Sequence, residues 1–460
     1  MKKRKFLIAS IVILAAIVSG LLLYFQKNKK PNHLENAATI YINTSDATAD
    51  IKNFVIHSTK TLETTIGTNS FSESWDTTLS CTDFGFDTMQ ILSQETLTIG
   101  KHKTEIEKVF SNGITYLTVN ETNFSGKATV DDIKKQVIPA VLLDYNNYSQ
   151  ITGIATKDGY IISLSNATAI EAWANLDRAT LINASGTAYI SSKGHLTKSV
   201  YNLEYTKGQV QFRLNVVTEM TADVPSIPPP ENTGLFIPIE NLEGPILFER
   251  ASGYLMQAEN ITTDYEDATF FEAFGDRRLK SINMQAKKIS GWSANIETEI
   301  TLKNNSRVGQ DTIYAQAEKF RNGIYTLSKD GIEAQNAEIT EQHMQTYCQN
   351  ILVSTILLPQ HLQNCNITVA NNVLRIDYQA NEEFAKQISA NACQDLYQDA
   401  TLLEKISQNN KTDIMAGYLE LDSLTGIPIS SGIQYESTYT TDNIPYHLTF
   451  QANQSYQLEE

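Results

Sequence analysis

The stretch FSNGITYLTV (110–119) returns 210 positions later as FRNGIYTLSK (320–329). An Asn-Gly pair between alternating apolar residues is a hairpin signal, because a type I′ turn needs positive φ at both central positions. What constrains the chain is that the flanking text returns in the same order. KATVDDIKKQVIPAVLLD (127–144) is answered by AEITEQHMQTYCQNILVSTILL (337–358), both read as helices with an acidic first turn. GIATKDGYIISLS (153–165) is answered by NITVANNVLRIDY (366–378), with Asp158-Gly159 and Asn371-Asn372 in the turns. GTAYISSKGHLTKSVYNLEYT (186–206) is answered by GYLELDSLTGIPISSGIQYEST (417–438). The offset grows from 210 at Phe110 and Phe320 to 231 at Gly186 and Gly417, as insertions in the second copy would produce. The chain therefore reads as two homologous domains.

The 460 residues leave room for two domains of ordinary size. Six of the eleven prolines fall between Pro225 and Pro245, and such a run makes a stiff, extended spacer. The expected division is a cytoplasmic tip and membrane anchor at 1–30, a first domain at 38–222, a Pro-rich linker at 223–245 and a second domain at 246–460. Each copy is expected to hold its own core.

FLIASIVILAAIVSGLLLYF (6–25) carries no charge over twenty residues, about what a helix needs to cross a hydrocarbon core. One transmembrane span acting as a signal anchor is the reading; a cleaved signal peptide ending before Leu21 is the alternative. Leu21 is not cysteine, so the stretch offers no lipidation thiol. Lys2, Lys3, Arg4 and Lys5 precede the segment, while Lys27, Lys29 and Lys30 follow it, which favours a cytoplasmic N-terminus with the rest of the chain extracytoplasmic. All 52 acidic residues lie beyond residue 30, against 29 of the 36 basic ones, so the remainder carries a net charge of −23. Such a surface repels phosphate backbones, and nucleic acid is not expected as a partner.

Chemistry is sparse. The tightest constellation is His343, Cys348, His361 and Cys365, but in a helix His343 and Cys348 would stand about 140° apart, and only His361 and Cys365 have comfortable spacing. No metal and no cofactor are expected. Cys348, Cys365 and Cys393 permit one disulfide in the second domain, with Cys393 on an inserted stretch of helical period (Phe384, Ile388, Ala392, Leu396, Ala400, Leu403); buried free thiols are the other reading. No Gly-x-Ser-x-Gly elbow, phosphate-binding glycine loop or His-Glu-x-x-His pair is present, so a non-catalytic protein is expected. Asp131-Asp132 and Tyr265-Glu266-Asp267 are read as carboxylates at helix starts, facing the dipole. Asn-x-Ser/Thr triplets at Asn120, Asn123, Asn166 and Asn366 mark polar surface.

Between the turns the pattern alternates, as in Val210, Phe212, Leu214 and Val216, giving sheets with one wet face and one that must be covered. Ile51, Phe54, Val55, Ser58 and Leu62, and later Phe270, Phe271, Phe274 and Leu279, follow a helical period and are read as the covering helices. The expected class is α+β: an N-terminal transmembrane helix, then two curved antiparallel sheets, each an open half-barrel with helices on its concave face.

The order of elements, the NGITYLTV hairpins, the DSLTGIPI segment (422–429) and the PPPEN close of the first copy (228–232) resemble the LolA and LppX-like superfamily of extracytoplasmic lipoprotein and lipid carriers. The first copy departs from it in SSKGHLTK, which lacks the Thr-Gly pair and the proline. The resemblance implies a lipid, acyl chain or other hydrophobic ligand and transfers no ligand contact to a numbered residue. A cell-envelope scaffold with filled interiors is the competing expectation.

Overall fold

The computed structural model describes residues 36–134, 148–167, 179–258, 260–273, 276–288, 296–305, 311–321, 324–329, 332–338, 352–353, 355–387, 411–441 and 444–458, with isolated positions 340, 343 and 346. The span expected at 6–25 lies outside them. Among the described residues no helix is long and apolar enough to cross a membrane.

The first half runs through α1 (Ala37–Ala49), β1 (Phe54–Ile66), β2 (Asn69–Thr82), β3 (Gln90–Ile99), β4 (His102–Ser111), β5 (Ile114–Val119) and β6 (Thr122–Lys127). It continues with β7 (Tyr148–Thr156), β8 (Gly159–Ala167), β9 (Thr180–Ser191), β10 (Leu196–Lys207) and β11 (Val210–Thr221). A short strand, β12 (Ile237–Pro238), lies alone before the second half. That half opens on α2 (Glu243–Gln257) and runs through β13 (Ile261–Ala273), β14 (Asp276–Lys288), β15 (Ile296–Asn305), β16 (Asp311–Arg321), β17 (Ile324–Lys329) and β18 (Ile332–Glu338). It ends with β19 (Leu362–Ala370), β20 (Val373–Ala380), β21 (Lys411–Asp422), β22 (Pro428–Thr441) and β23 (Ile444–Leu458). The described chain is mostly strand, and its sheets are open.

The strand order is written twice. The first sheet reads β12-β6-β5-β4-β3-β2-β1-β11-β10-β9-β8-β7. In the second half β14-β13-β23-β22-β21-β20-β19 repeats β2-β1-β11-β10-β9-β8-β7, and β15-β16-β17-β18 repeats β3-β4-β5-β6. β14 and β15 run beside each other without joining the two pieces into one ladder. All ladders are antiparallel apart from the β12–β6 pair.

Turn chemistry explains the hairpins. Asn112 and Gly113 adopt φ of 52° and 76° between β4 and β5, and Asn371 and Asn372 adopt 53° and 65° between β19 and β20. Asn322-Gly323 lies outside the described residues, but Arg321 pairs with Ile324 across it as Ser111 pairs with Ile114. At the head of β22, Asp422 Oδ1 accepts hydrogen bonds from the Leu424 and Thr425 amides (3.1 and 2.7 Å), and Gly426 takes φ of 74°. In the first copy Ser191 Oγ accepts from the His195 amide at 3.1 Å and Gly194 takes φ of 84°. The Thr-Gly pair missing there is thus replaced by a shorter turn with the same logic.

Two expected helices are strands. Phe54, Val55, Ser58 and Leu62 lie on β1, and Phe270 and Phe271 lie on β13, which pairs with β14 through Phe270 and Leu279; Phe274 lies outside the described residues. Tyr265, Glu266 and Asp267 are likewise mid-strand on β13, with the Tyr265 hydroxyl donating to Asp267 Oδ2 at 2.9 Å, and do not start a helix. Asp132 does: its carboxylate accepts from the Thr129 amide and hydroxyl, while its own amide donates to Thr129 Oγ1, a reciprocal cap.

Among the described residues, the inner face of the first sheet is covered by two helices. Under α1, Tyr41, Phe54, Ile56, Met89, Ile91, Phe110, Ile162 and Leu164 form one apolar cluster. Under α2, Phe71, Leu97, Ile99, Ile106 and Leu117 form a second, which continues through Phe248, Tyr254 and Leu255 into Leu419, Ile433, Tyr435 and Tyr456 of the second half. α2 is therefore apolar nearly all round, buried from Gly244 to Glu249 and from Ala251 to Leu255. It packs on β19 and β22, as α1 packs on the corresponding β7 and β10, and its other side packs on β3 and β4. A core private to each half does not describe this region; residue 246 itself lies inside the shared helix.

Candidate functional site

Between the areas covered by α1 and α2, the described residues leave the inner face of the first sheet half covered. Alternation along β1 points Phe54, Ile56, Ser58, Lys60, Leu62 and Thr64 inward. Register then builds a row across the sheet, with Trp75 opposite Lys60, Lys60 opposite Val216 and Val216 opposite Tyr201. The next row places Leu62 between Glu73 and Leu214, with Leu203 beyond. On the other side runs a hydroxyl row, in which Ser58 and Thr218 are hydrogen bonded at 3.2 Å and Ser199 follows. Trp75, Lys60, Leu62, Leu214 and Tyr201 are half-buried, whereas Val216 and Leu203 are buried. The result is an apolar strip, partly open, with one amine in its middle.

At the α2 end the strip meets a buried ionic cluster. Glu73, 1% exposed, accepts from Arg250 Nη2 at 2.8 Å and from the Tyr254 hydroxyl at 2.5 Å, and the Trp75 indole also donates to it. Burial alone would push the Glu73 carboxyl up, but the Arg250 charge and these hydrogen bonds outweigh it and hold the carboxyl below its ordinary value. Arg250 Nε is buried with no hydrogen-bond partner. Burial pushes the Lys60 amine down, Arg250 adds to that, and Glu73 works against it. Along the same helix Glu249 accepts from His102 Nε2 at 2.8 Å and from Thr104 Oγ1 at 3.3 Å. Reciprocal Asn69 and Asn260 hydrogen bonds of 3.0 and 3.2 Å tie the α2–β13 connection to the β1–β2 turn. The second half reaches the strip too, since Leu424 packs against the cluster of Ala184, Leu203, Tyr205 and Phe212.

The outer face carries a separate groove. The Pro-rich segment lies against β3 to β6, where Tyr116 and Phe236 meet edge to face at 5.3 Å and Ile237 pairs in parallel with Phe124. Leu92, Val109 and Tyr116 on the sheet and Pro228, Pro229 and Leu235 on the strap enclose about 430 Å³. The linker thus touches the sheet between Pro228 and Pro238.

The residues singled out by sequence do not converge. Cys365 is a buried free thiol whose Sγ donates to the Asn241 carbonyl at 3.1 Å, and burial pushes it up to about 11. Cys348 and Cys393 lie outside the described residues, as do the inserted positions from Ile388 to Leu403. His343 is exposed and shares a hydrogen bond with Thr340, while the His361 ring packs on Phe384 with centroids 4.7 Å apart. Among the described residues no group of His, Cys, Asp and Glu could hold a metal. The Asn120 and Asn123 side chains accept hydrogen bonds from the Glu105 amide and the Thr118 hydroxyl. Lys60, Glu73, Trp75 and Arg250 went unread. One signal was available: Glu249-Arg250 is a charged pair inside the otherwise apolar helix GPILFERASGYLM.

No family model matches the chain, and no curated protein matches it. Among solved structures, LprF from Mycobacterium bovis is similar at 14% identity, covering 43% of this chain and 99% of its own, with a TM-score of 0.27. The MucA/MucB complex of Pseudomonas aeruginosa gives 8% identity, 92% and 99% coverage and a TM-score of 0.19. A putative AttH from Nitrosomonas europaea gives 8%, 88% and 93%, with 0.12. At these scores the likenesses carry no argument.

Proposed function

We propose that this is a non-catalytic, membrane-anchored extracytoplasmic binding protein built from two homologous LolA-like domains, and that it holds an apolar molecule on the inner face of the first sheet. The observation that carries the reading is the half-open strip of Trp75, Leu62, Leu214 and Tyr201 between two helix-covered clusters. Concave apolar surface with a few polar groups is the usual character of a small-molecule site. The resemblance of the hairpins to lipid and lipoprotein carriers points the same way. The anchor is proposed from the charge-free segment at 6–25 and the lysines around it.

A second reading has its own support. In the second half, α2 and residues such as Leu352, Ile356 and Leu357 pack into the described core, which suits a scaffold whose interior is its own side chains.

The test is photolabelling of the full chain in lipid nanodiscs with a diazirine-bearing palmityl alcohol, mapped by peptide mass spectrometry. Label on β1 and β11 that is lost with Leu214→Asp, on the inner face, and kept with Asn215→Asp, on the outer face, supports a ligand site. Label confined to residues 6–25 and the bilayer overturns it in favour of the scaffold.

A further inference from the structure

We propose that the molecule held on this strip is an amphiphile with an anionic head, a carboxylate or a phosphate, and that Lys60 is the residue that selects it. The inference rests on the ligand-site reading above and adds the chemistry of the head group.

The argument is one of unbalanced charge. Where the strip meets α2, the inner face presents Lys60, Glu73 and Arg250. Glu73 is already engaged by Arg250, Tyr254 and Trp75. In the hydroxyl row itself, Glu95 stands opposite Thr77 and is taken by Lys108 at 3.4 Å, and Ser93 also donates to it. Glu249 is taken by His102 and Thr104. Among the described residues Lys60, half-buried between Trp75 and Val216, forms no ion pair of its own, and Arg250 Nε is a buried donor with no acceptor. A half-buried cation whose nearest counter-charge, Glu73, is shared with Arg250 is poorly compensated, and an unsatisfied buried donor is costly. An anion lying over the Trp75–Lys60 row would face the amine and would lie toward the side of the strip from which Arg250 enters. The apolar residues around that row, Leu62, Leu214 and Val216, suit an alkyl chain rather than a small free anion. The rest of the molecule, at net −23 beyond residue 30, offers no general attraction for anions, so selection would be local to this amine.

Three diazirine probes of matched chain length separate the possibilities: a palmitic acid, a lysophosphatidic acid and a palmityl alcohol, each applied to the full chain in nanodiscs. The expected result is labelling of β1 and β11 by at least one anion about tenfold above the alcohol, the effect of one charge-assisted hydrogen bond. Which anion leads identifies the head as carboxylate or phosphate. Lys60→Gln is expected to bring the anion down to the alcohol, and Lys60→Arg to restore the preference. Equal labelling by acid, phosphate and alcohol overturns this inference and leaves the apolar site standing. Labelling of these strands by none of the three overturns both, with the chain's own segments covering the face. The wild-type ratio decides the matter even where Lys60→Gln does not fold, and an unchanged anion preference in a folded Lys60→Gln protein also overturns it.

Discussion

At the scale of single residues, the cluster of Glu73, Arg250 and Tyr254 shows what a charge buried between two halves of a chain can and cannot do. The pair is a weak source of net stability, because desolvating both groups offsets most of their attraction, but removing one partner strands the other. Glu73→Gln is therefore expected to cost about 3 kcal/mol, read from chemical denaturation. The pH dependence has a definite sign. The folded Glu73 carboxyl lies below its ordinary 4.5, so its contribution is fully present above that value and is lost as pH falls through the lowered folded pKa. The stability gap between wild type and Glu73→Gln should stay constant from pH 7 to about 5 and close only below about 4.5. A gap that closes on the alkaline side would contradict the assignment. None of this was legible from local sequence, since Glu73, Trp75 and Lys60 sit in strands of ordinary Ser/Thr-rich composition. Their partner Arg250 is 177 residues from Glu73, and only register and packing bring them together.

At the scale of elements, what was legible is what is local. Asn112-Gly113 and Asn371-Asn372 announce their hairpins because positive φ at two successive positions restricts the residue types that fit. The strands β1 and β13 were misread because their apolar residues fall on both faces. Val55 and Leu62 lie on opposite sides of β1, so the apolar letters mimic a helical spacing that the ladders to β2 and β11 override. A linker read at 223–245 overlaps the start of α2 because Pro245 reads as spacer, although it sits in the first turn of the helix, where its missing amide hydrogen costs nothing. The close fit of α2 on the first sheet can be probed at Gly253. A Cβ there would stand 2.9 Å from Ile99 Cβ and 3.2 Å from the His102 ring. Gly253→Ala gains about 1 kcal/mol of helix propensity but overpacks by about 1 to 3 kcal/mol, so a net loss near 1 kcal/mol is expected. A smaller loss from Gly253→Ala in an Ile99→Ala background, where the Cδ1 contact at 3.1 Å is gone and the remaining Cβ is freer to shift, measured as a thermodynamic cycle, would place the strain at this contact. Equal losses in both backgrounds would not.

At the scale of the whole molecule, a repeated strand order and a shared helix coexist. The repeated strand order is the part of the architecture that text alone carried, because hairpin-linked neighbours in sequence are neighbours in the sheet. What text could not carry is that the helix opening the second copy also closes the first. Phe248, Tyr254 and Leu255 bury themselves in a cluster drawn from both sheets, each worth about 1.5 to 3 kcal/mol on the scale of buried side chains. Leu424 and the Asn69–Asn260 pair add contacts across the same junction. A chain so joined should unfold in one step rather than two. A protease site inserted between Pro225 and Pro230 tests this, because the cut would fall before α2 and leave its packing intact. The two fragments are expected to stay associated on gel filtration, and calorimetry is expected to show a single transition before and after cutting. If the fragments separate and each melts on its own, the α2 contacts are too weak to couple the halves, and the copies are independent beads on a docked strap. A single transition would instead mean that a change anywhere in the α2 junction, Glu73→Gln included, is felt by both copies at once.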